Sequence, residues 1–146
     1  MRITSLLENT TERDDMQIEH GLSLYIETDR HKILFDMGQT DMFFENAKVL
    51  GIDLTTVDLA ILSHGHYDHG GGLKKFLEIN SHAPVYIHKD AFLPYYDEDK
   101  YIGLDNLLDD ATGKHRVVRS IDFKPISFVV ENHLIAVGHR DVVLIV

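Results

Sequence analysis

The chain has 146 residues, 44% hydrophobic and 26% charged, which fits one globular domain with a core of its own and argues against disorder. Cys is absent, so disulfides, thiolate metal sites, iron–sulfur clusters and cysteine nucleophiles are excluded, and any transition metal must be held by His, Asp or Glu. Fourteen basic against 24 acidic residues give a net charge of -10, which disfavours general nucleic-acid binding, and no apolar run approaches the ~20 residues of a membrane span. The first ten residues contain one Arg and no signal-type apolar stretch, so a cytoplasmic location is the default expectation.

Leu22, Leu24 and Ile26 alternate with Ser23, Tyr25 and Glu27, the period of a strand. A polar turn over 28–32 and a second apolar run at 33–35 make this a hairpin. Asp36-Met37-Gly38 closes it. A helix follows, capped by Thr40 or Asp41, with Phe43, Ala47 and Leu50 on one face and Gly51 as its stop. Residues 59–63 (Leu-Ala-Ile-Leu-Ser) are almost continuously apolar, as expected of a buried strand. A polar, Gly-rich loop over 64–72 comes next, then a helix with Leu73, Phe76 and Leu77 inward, ending near Asn80. Residues 84–87 read as a strand, 90–96 as a short helix, and the stretch to Asp110 as a long acidic connection. Strands are expected at 117–118, 126–130, 134–137 and 142–146. Strand–helix alternation followed by consecutive strands implies an α/β fold with a mixed sheet.

The last run, Val142-Val143-Leu144-Ile145-Val146, is unusually apolar for a terminus. Two expectations follow: a strand docked centrally in a sheet, or a domain that is incomplete here or completed by a second subunit. The latter would expose apolar surface and favour a homo-oligomer.

The chemistry lies in His64-Gly65-His66-Tyr67-Asp68-His69, which places three of the chain's ten His in six positions beside a carboxylate. The motif follows a buried strand directly. It therefore sits at a strand's C-terminal end, where open α/β sheets place their sites. His64 and His66 can reach one ion together, and Asp68 and His69 can turn toward a second. Imidazole and carboxylate suit zinc, iron or manganese. Gly65 and Gly70-Gly71-Gly72 are expected to supply backbone conformations that only Gly adopts cheaply. The plain alternative is a His-rich surface loop that holds nothing.

His-x-His-x-Asp-His resembles the metal motif of the metallo-β-lactamase superfamily of metal-dependent hydrolases. Ile33-Leu34-Phe35-Asp36-Met37-Gly38 is similar to the family's upstream strand-plus-Asp element, and residues 46–63 and Gly70-Gly71-Gly72-Leu73 follow in similar order. Within the superfamily, the branch of pterin-phosphate and aminobenzene-phosphate synthases is similar, including Lys100-Tyr101-Ile102-Gly103-Leu104. The resemblance covers about residues 20–104 and weakens after Asp105.

The resemblance implies an αββα sandwich of two mixed sheets faced by helices, incomplete toward the C-terminus, with metal at the sheet edge. It implies that His64, His66 and a downstream His hold one ion while Asp68 and His69 hold another, with Asp36 supporting the metal loop. His139, in Val137-Gly138-His139-Arg140, is the candidate downstream ligand, against a purely structural His. A bridging carboxylate and a last His have no convincing counterpart. Tyr67 either lines the pocket or packs. Tyr95-Tyr96 and Asp97-Glu98-Asp99 read as a solvated loop rather than a substrate site, and His115 and His133 as surface residues.

The expected activity is metal-dependent hydrolysis of a small ester, amide or phosphoester, with a pterin-related substrate or a synthase-type condensation suggested by the branch. Asp68 is a ligand if two ions bind and a general base if one does. The expected cofactor is one or two divalent ions, zinc first. The competing expectation is a degenerate, non-catalytic metal-binding chain. A nuclease of the same superfamily conflicts with the net charge and the lack of a basic stripe.

Overall fold

The computed structural model describes residues 1–88 and 90–104, together with the strand backbones at 117–120, 126–130, 133–137 and 142–145. The main sheet has six strands in the order β1-β2-β3-β4-β5-β8. They are β1 (Arg2–Leu7), β2 (Ser23–Glu27), β3 (Lys32–Phe35), β4 (Leu59–Ile61), β5 (Val85–His88) and β8 (Val117–Ser120). β1, β2 and β3 pair antiparallel; β3, β4, β5 and β8 run parallel. The sheet is therefore mixed, as expected. β1 was not legible in advance: its burial rises only toward Leu6 and Leu7, and an outer strand has one neighbour to satisfy.

β4 lies between β3 and β5, and its sequence explains its place. Ala60, Ile61 and Leu62 are fully buried, as a parallel strand covered on both faces must be. Period-2 alternation splits the apolar set in two. Leu34, Ala60, Leu62, Val85 and Ile87 join a large cluster with Phe43 and Ala47 of α1 (Met42–Val49) and Leu73, Phe76 and Leu77 of α3 (Leu73–Ile79). Ile26, Ile33, Phe35 and Ile61 form a smaller cluster with Leu22, Leu24 and Leu59 packed against it. Tyr25 and Ser23 are also buried, so β2 is covered on both faces rather than half exposed.

Helix α1 starts at Asp41, which makes no side-chain capping bond; Thr40 Oγ1 instead accepts from the Met42 N–H at 3.3 Å. Gly51, at φ +69, stops it. Asn46 is buried on this helix and ties it to β1, donating from Nδ2 to the Leu6 carbonyl at 2.7 Å.

Two expected elements differ. Residues 64–72 are not all loop: Tyr67–Gly70 form one helical turn, α2. Residues 90–93 form a turn and bend rather than a helix, with Ala91 donating to His88 O and Leu93 to Asp90 O. Pro94 has no N–H and disfavours helix at its predecessor, so the turn does not propagate. The chain then forms a small hairpin of β6 (Tyr96–Asp97) and β7 (Lys100–Tyr101).

A second sheet, in the order β11-β10-β9, is an antiparallel meander of β9 (Ile126–Val130), β10 (His133–Val137) and β11 (Val142–Ile145). Among the described residues, Val142–Ile145 of the final apolar run pairs with β10 alone. No helix among the described residues is long and apolar enough to cross a membrane.

Candidate metal centre

The parallel register of β3 and β4 builds the site. Phe35 lies opposite Ile61, so Asp36 and the segment 62–64 leave the sheet side by side at its C-terminal edge. The Asp36 N–H extends the ladder to Ile61 O at 2.9 Å. Asp36 then turns to φ +53, a left-handed conformation that Asp tolerates better than most residues and that marks strain near function. Gly38 follows at φ +66 and completes the sharp exit.

Asp36 is fully buried and accepts three bonds, each at 2.7 Å. Oδ1 receives the Ser63 N–H. Oδ2 receives the Ser63 hydroxyl and the Nδ1 side of His69. Ser63 Oγ also lies 2.8 Å from His64 Nδ1. A serine hydroxyl has one proton, and here it points to the carboxylate, so His64 Nδ1 is the donor in that contact. In their neutral forms both rings thus carry the proton on Nδ1 and the acceptor lone pair on Nε2. A carboxylate or hydroxyl that fixes the tautomer of a His is what a metal site requires around its ligands.

Burial pushes the Asp36 carboxyl above its ordinary range, against the donors His69 and Ser63. Burial alone would lower His69, but the Asp36 hydrogen bond and the charges of Asp36 and Asp68 outweigh it, and His69 is raised. Desolvation thus favours the uncharged form of Asp36, while the contact with Asp36 favours the charged form of His69.

The helical turn α2 brings the rest together. His66 precedes it, and the N–H groups of His69 and Gly70 return to His66 O at 3.1 and 3.0 Å. One ligand atom each from His64, Asp68 and His69 lies within 4.8 Å of the others. The His64 ring centroid is 4.4 Å from His66 and 4.3 Å from His69. His66 therefore adjoins the trio through the His64 ring. The donor set is two or three imidazoles and a carboxylate, which fits a divalent ion of the zinc, iron or manganese type. His139 and His115 lie outside the described residues, as does the side chain of His133.

The glycines act differently from expectation. Gly65, Gly70, Gly71 and Gly72 are absent from the positive-φ set. They are needed for close approach: a Cβ on Gly65 would overlap Ala91 O, one on Gly71 Gln39 O, and one on Gly72 Met37 O. The ligand segment is pressed backbone to backbone against the strand exits.

The cluster opens into a cleft of about 720 Å³. Tyr67, Tyr95, Tyr96, Asp97 and Lys100 also line it, so Tyr67 faces the pocket, while residues 96–99 are exposed, as expected of a solvated loop. The Tyr67 N–H donates to Ile102 O, and the Ile102 N–H donates to Tyr95 O. The Tyr95 ring meets His66 edge-on at 5.4 Å, and Lys100 Nζ lies 5.6 Å from the Tyr67 centroid. Ser63 and His20 are also site residues that sequence reasoning missed. Ser63 had a signal, since it ends the buried run and precedes His64; His20 had none.

The sequence profile of the metallo-beta-lactamase superfamily matches residues 18–145. An uncharacterized protein of Methanocaldococcus jannaschii is 39% identical over 104 residues, spanning 70% of this chain and 40% of the relative. The 7,8-dihydropterin-6-methyl-4-(beta-D-ribofuranosyl)-aminobenzene-5'-phosphate synthase of the same organism is 39% identical over 80 residues, 51% of this chain and 27% of the relative. The crystal structure of Tm1679, a metal-dependent hydrolase of the beta-lactamase superfamily, superposes with a TM-score of 0.66 at 26% identity, covering 92% of this chain and 46% of that one. A subclass B3 metallo-beta-lactamase from a soil metagenome shares the fold at 15% identity, with a TM-score of 0.57 over 82% of this chain and 46% of its own. The chain spans less than half the length of each. With its profile, fold and His/Asp cluster in agreement, the chain belongs to the metallo-beta-lactamase superfamily.

Proposed function

We propose that the chain is a metal-dependent hydrolase of a small ester, amide or phosphoester, with His64, His66, Asp68 and His69 as its ligand set and His139 as a further candidate. The observation that carries this is the grouping of His64, Asp68 and His69 within 4.8 Å, with both imidazole tautomers set through Asp36 and Ser63. A bound divalent ion supplies Lewis acidity and lowers the pKa of water toward neutrality. Zinc is the first expectation, with iron or manganese as alternatives. Asp68 serves as a ligand, or as the base that accepts the proton of the attacking water where one ion is bound. The tyrosine wall and Lys100 orient a small substrate in the cleft, Lys100 favouring an anionic group.

A second reading comes from the synthase of Methanocaldococcus jannaschii, 39% identical over 80 residues. It replaces hydrolysis by condensation of a phosphorylated, pterin-like or aminobenzoate-like molecule. The aromatic wall formed by Tyr67, Tyr95 and Tyr96 suits a flat ring in either case.

Elemental analysis of protein purified without a His tag, followed by turnover assays on ester, lactone, amide and phosphoester panels, separates the readings. The expected result is at least one equivalent of metal and hydrolysis lost together with metal in His66→Ala. Metal retention and turnover in that variant would overturn the ligand assignment. Metal uptake with condensation but no hydrolysis would favour the synthase reading, and uptake with neither would leave a non-catalytic binding chain.

A further inference from the structure

We infer that His20, from the loop before β2, is a positioning residue that holds Asp68 in place from outside the 64–69 motif. The inference rests on the reading of His64, Asp68 and His69 as a metal site. His20 Nε2 lies 3.2 Å from Asp68 Oδ2, and the ring lines the same cleft. The side chain is 70% exposed, so packing alone does not fix where it points. Its backbone does.

The residues on either side of His20 are fastened to the site. Glu19 Oε1 accepts the N–H groups of Gln39 and Thr40, both at 2.9 Å, and Oε2 accepts the Thr40 hydroxyl at 2.8 Å. Those two residues follow directly on the Asp36-Met37-Gly38 exit. Gly21 donates its N–H to Asn9 Oδ1 at 2.9 Å. Gly21 also sits at φ +140 against the Asp68 carbonyl, where any Cβ would overlap that oxygen. His20 is thus clamped between an anchor on the β3 exit and a contact with the backbone of Asp68 itself. With the backbone held this way, only the side-chain torsions of His20 remain to be fixed when the ring meets the Asp68 carboxylate.

Asp68 needs such a partner. It stands in the first turn of a four-residue helix, and the other imidazole near it is His69, with Nε2 at 3.6 Å from the same Oδ2. His69 is anchored by Asp36, and His64 by Ser63, each through Nδ1. His20 gives Asp68 the equivalent support. Each member of the trio then has one protein group that orients it, and the support of Asp68 comes from a loop 48 residues upstream, by the difference between positions 68 and 20.

The test is cobalt(II) binding to the metal-stripped full chain, followed by visible absorption. It compares the wild type with His20→Ala, His20→Gln, Asp68→Asn and the double variant His20→Ala/Asp68→Asn. His20→Ala is expected to weaken cobalt binding about tenfold, the lower end of the effect of outer-shell partners, and to alter the ligand-field bands. His20→Gln, which keeps an N–H donor of similar reach, is expected to restore most of both. In the Asp68→Asn background, removing His20 should change nothing further. A wild-type affinity and spectrum in His20→Ala would overturn the inference, as would an equal loss with and without Asp68. If His20→Ala does not fold, the same comparison made with His20→Gln, alone and in the Asp68→Asn background, decides. A wild-type chain that takes up no cobalt overturns the metal-site reading itself and is distinct from one that binds cobalt with His20 indifferent.

Discussion

The carboxylate of Asp36 holds His69 Nδ1 at 2.7 Å across 33 positions of sequence. The same Oδ2 receives the Ser63 hydroxyl, which in turn meets His64. One buried acid therefore orients two rings of the cluster. Asp36→Ala leaves the Ser63 N–H, the Ser63 hydroxyl and His69 Nδ1–H without their acceptor and puts Ala at φ +53. It is expected to destabilise the chain by about 3 kcal/mol or more in urea denaturation. Asp36→Asn keeps the shape and tolerates the left-handed backbone. It should fold while losing about 10–100-fold in metal affinity. Unchanged affinity in Asp36→Asn would show that Asp36 serves the fold alone.

Ser63→Ala removes the link between Asp36 and His64 but leaves the Ser63 N–H bond to Oδ1 intact. The expected loss is about 1–2 kcal/mol of stability, the usual scale for one buried hydrogen bond. Because the hydroxyl acts through Asp36, Ser63→Ala and Asp36→Asn should be strongly non-additive in metal affinity. Additive losses would mean that Ser63 orients His64 independently of the acid.

The frame of this centre was legible, and its reasons were only partly so. Residues 59–63 announced a strand buried on both faces, and β4 has that place. Leu73, Phe76 and Leu77 announced a helix ending near Asn80, and α3 runs Leu73–Ile79. Spacing alone placed the His and Asp of 64–69 together. What stayed hidden depends on contacts between distant segments. The support of Asp36 by Ser63 is set by the β3–β4 register, and His20 reaches Asp68 through a loop with no periodicity. The β6–β7 hairpin was missed because its turn carries neither Gly nor Asn; Glu98 takes φ +52 where one of those would normally stand.

The glycine contacts separate two kinds of substitution. Gly71 has an ordinary helical backbone, φ -59, but a Cβ there would overlap the carbonyls of Gln39 and Tyr67. Gly51 has φ +69 with nothing within 4 Å of an added Cβ. Gly51→Ala should lose about 1–2 kcal/mol from backbone strain and leave metal binding unchanged. Gly71→Ala must push α2 away from the β3 exit. It should lose about 1–3 kcal/mol by overpacking and weaken metal binding as well. Thermal melts and cobalt titrations on the two variants check this, and equal metal affinity in both would argue against the close approach as the determinant of ligand placement.

The raised His69 makes a prediction about pH with a definite sign. Burial opposes its charge, but Asp36 and Asp68 favour it more, so its folded pKa lies above the ordinary 6.5. The imidazolium is then worth more in the folded chain than in the unfolded one. That contribution is complete below about 6.5 and is lost as pH rises through the folded value. The melting temperature of chelator-treated protein should therefore fall as pH rises above about 6.5, and Asp36→Asn should flatten the slope. With metal supplied, the dependence turns round, because an ion can engage His69 only after Nε2 has lost its proton. The gap in melting temperature between loaded and stripped protein should widen as pH rises over that window. A gap that stays constant, in wild type and Asp36→Asn alike, would mean that His69 takes no part in holding the ion.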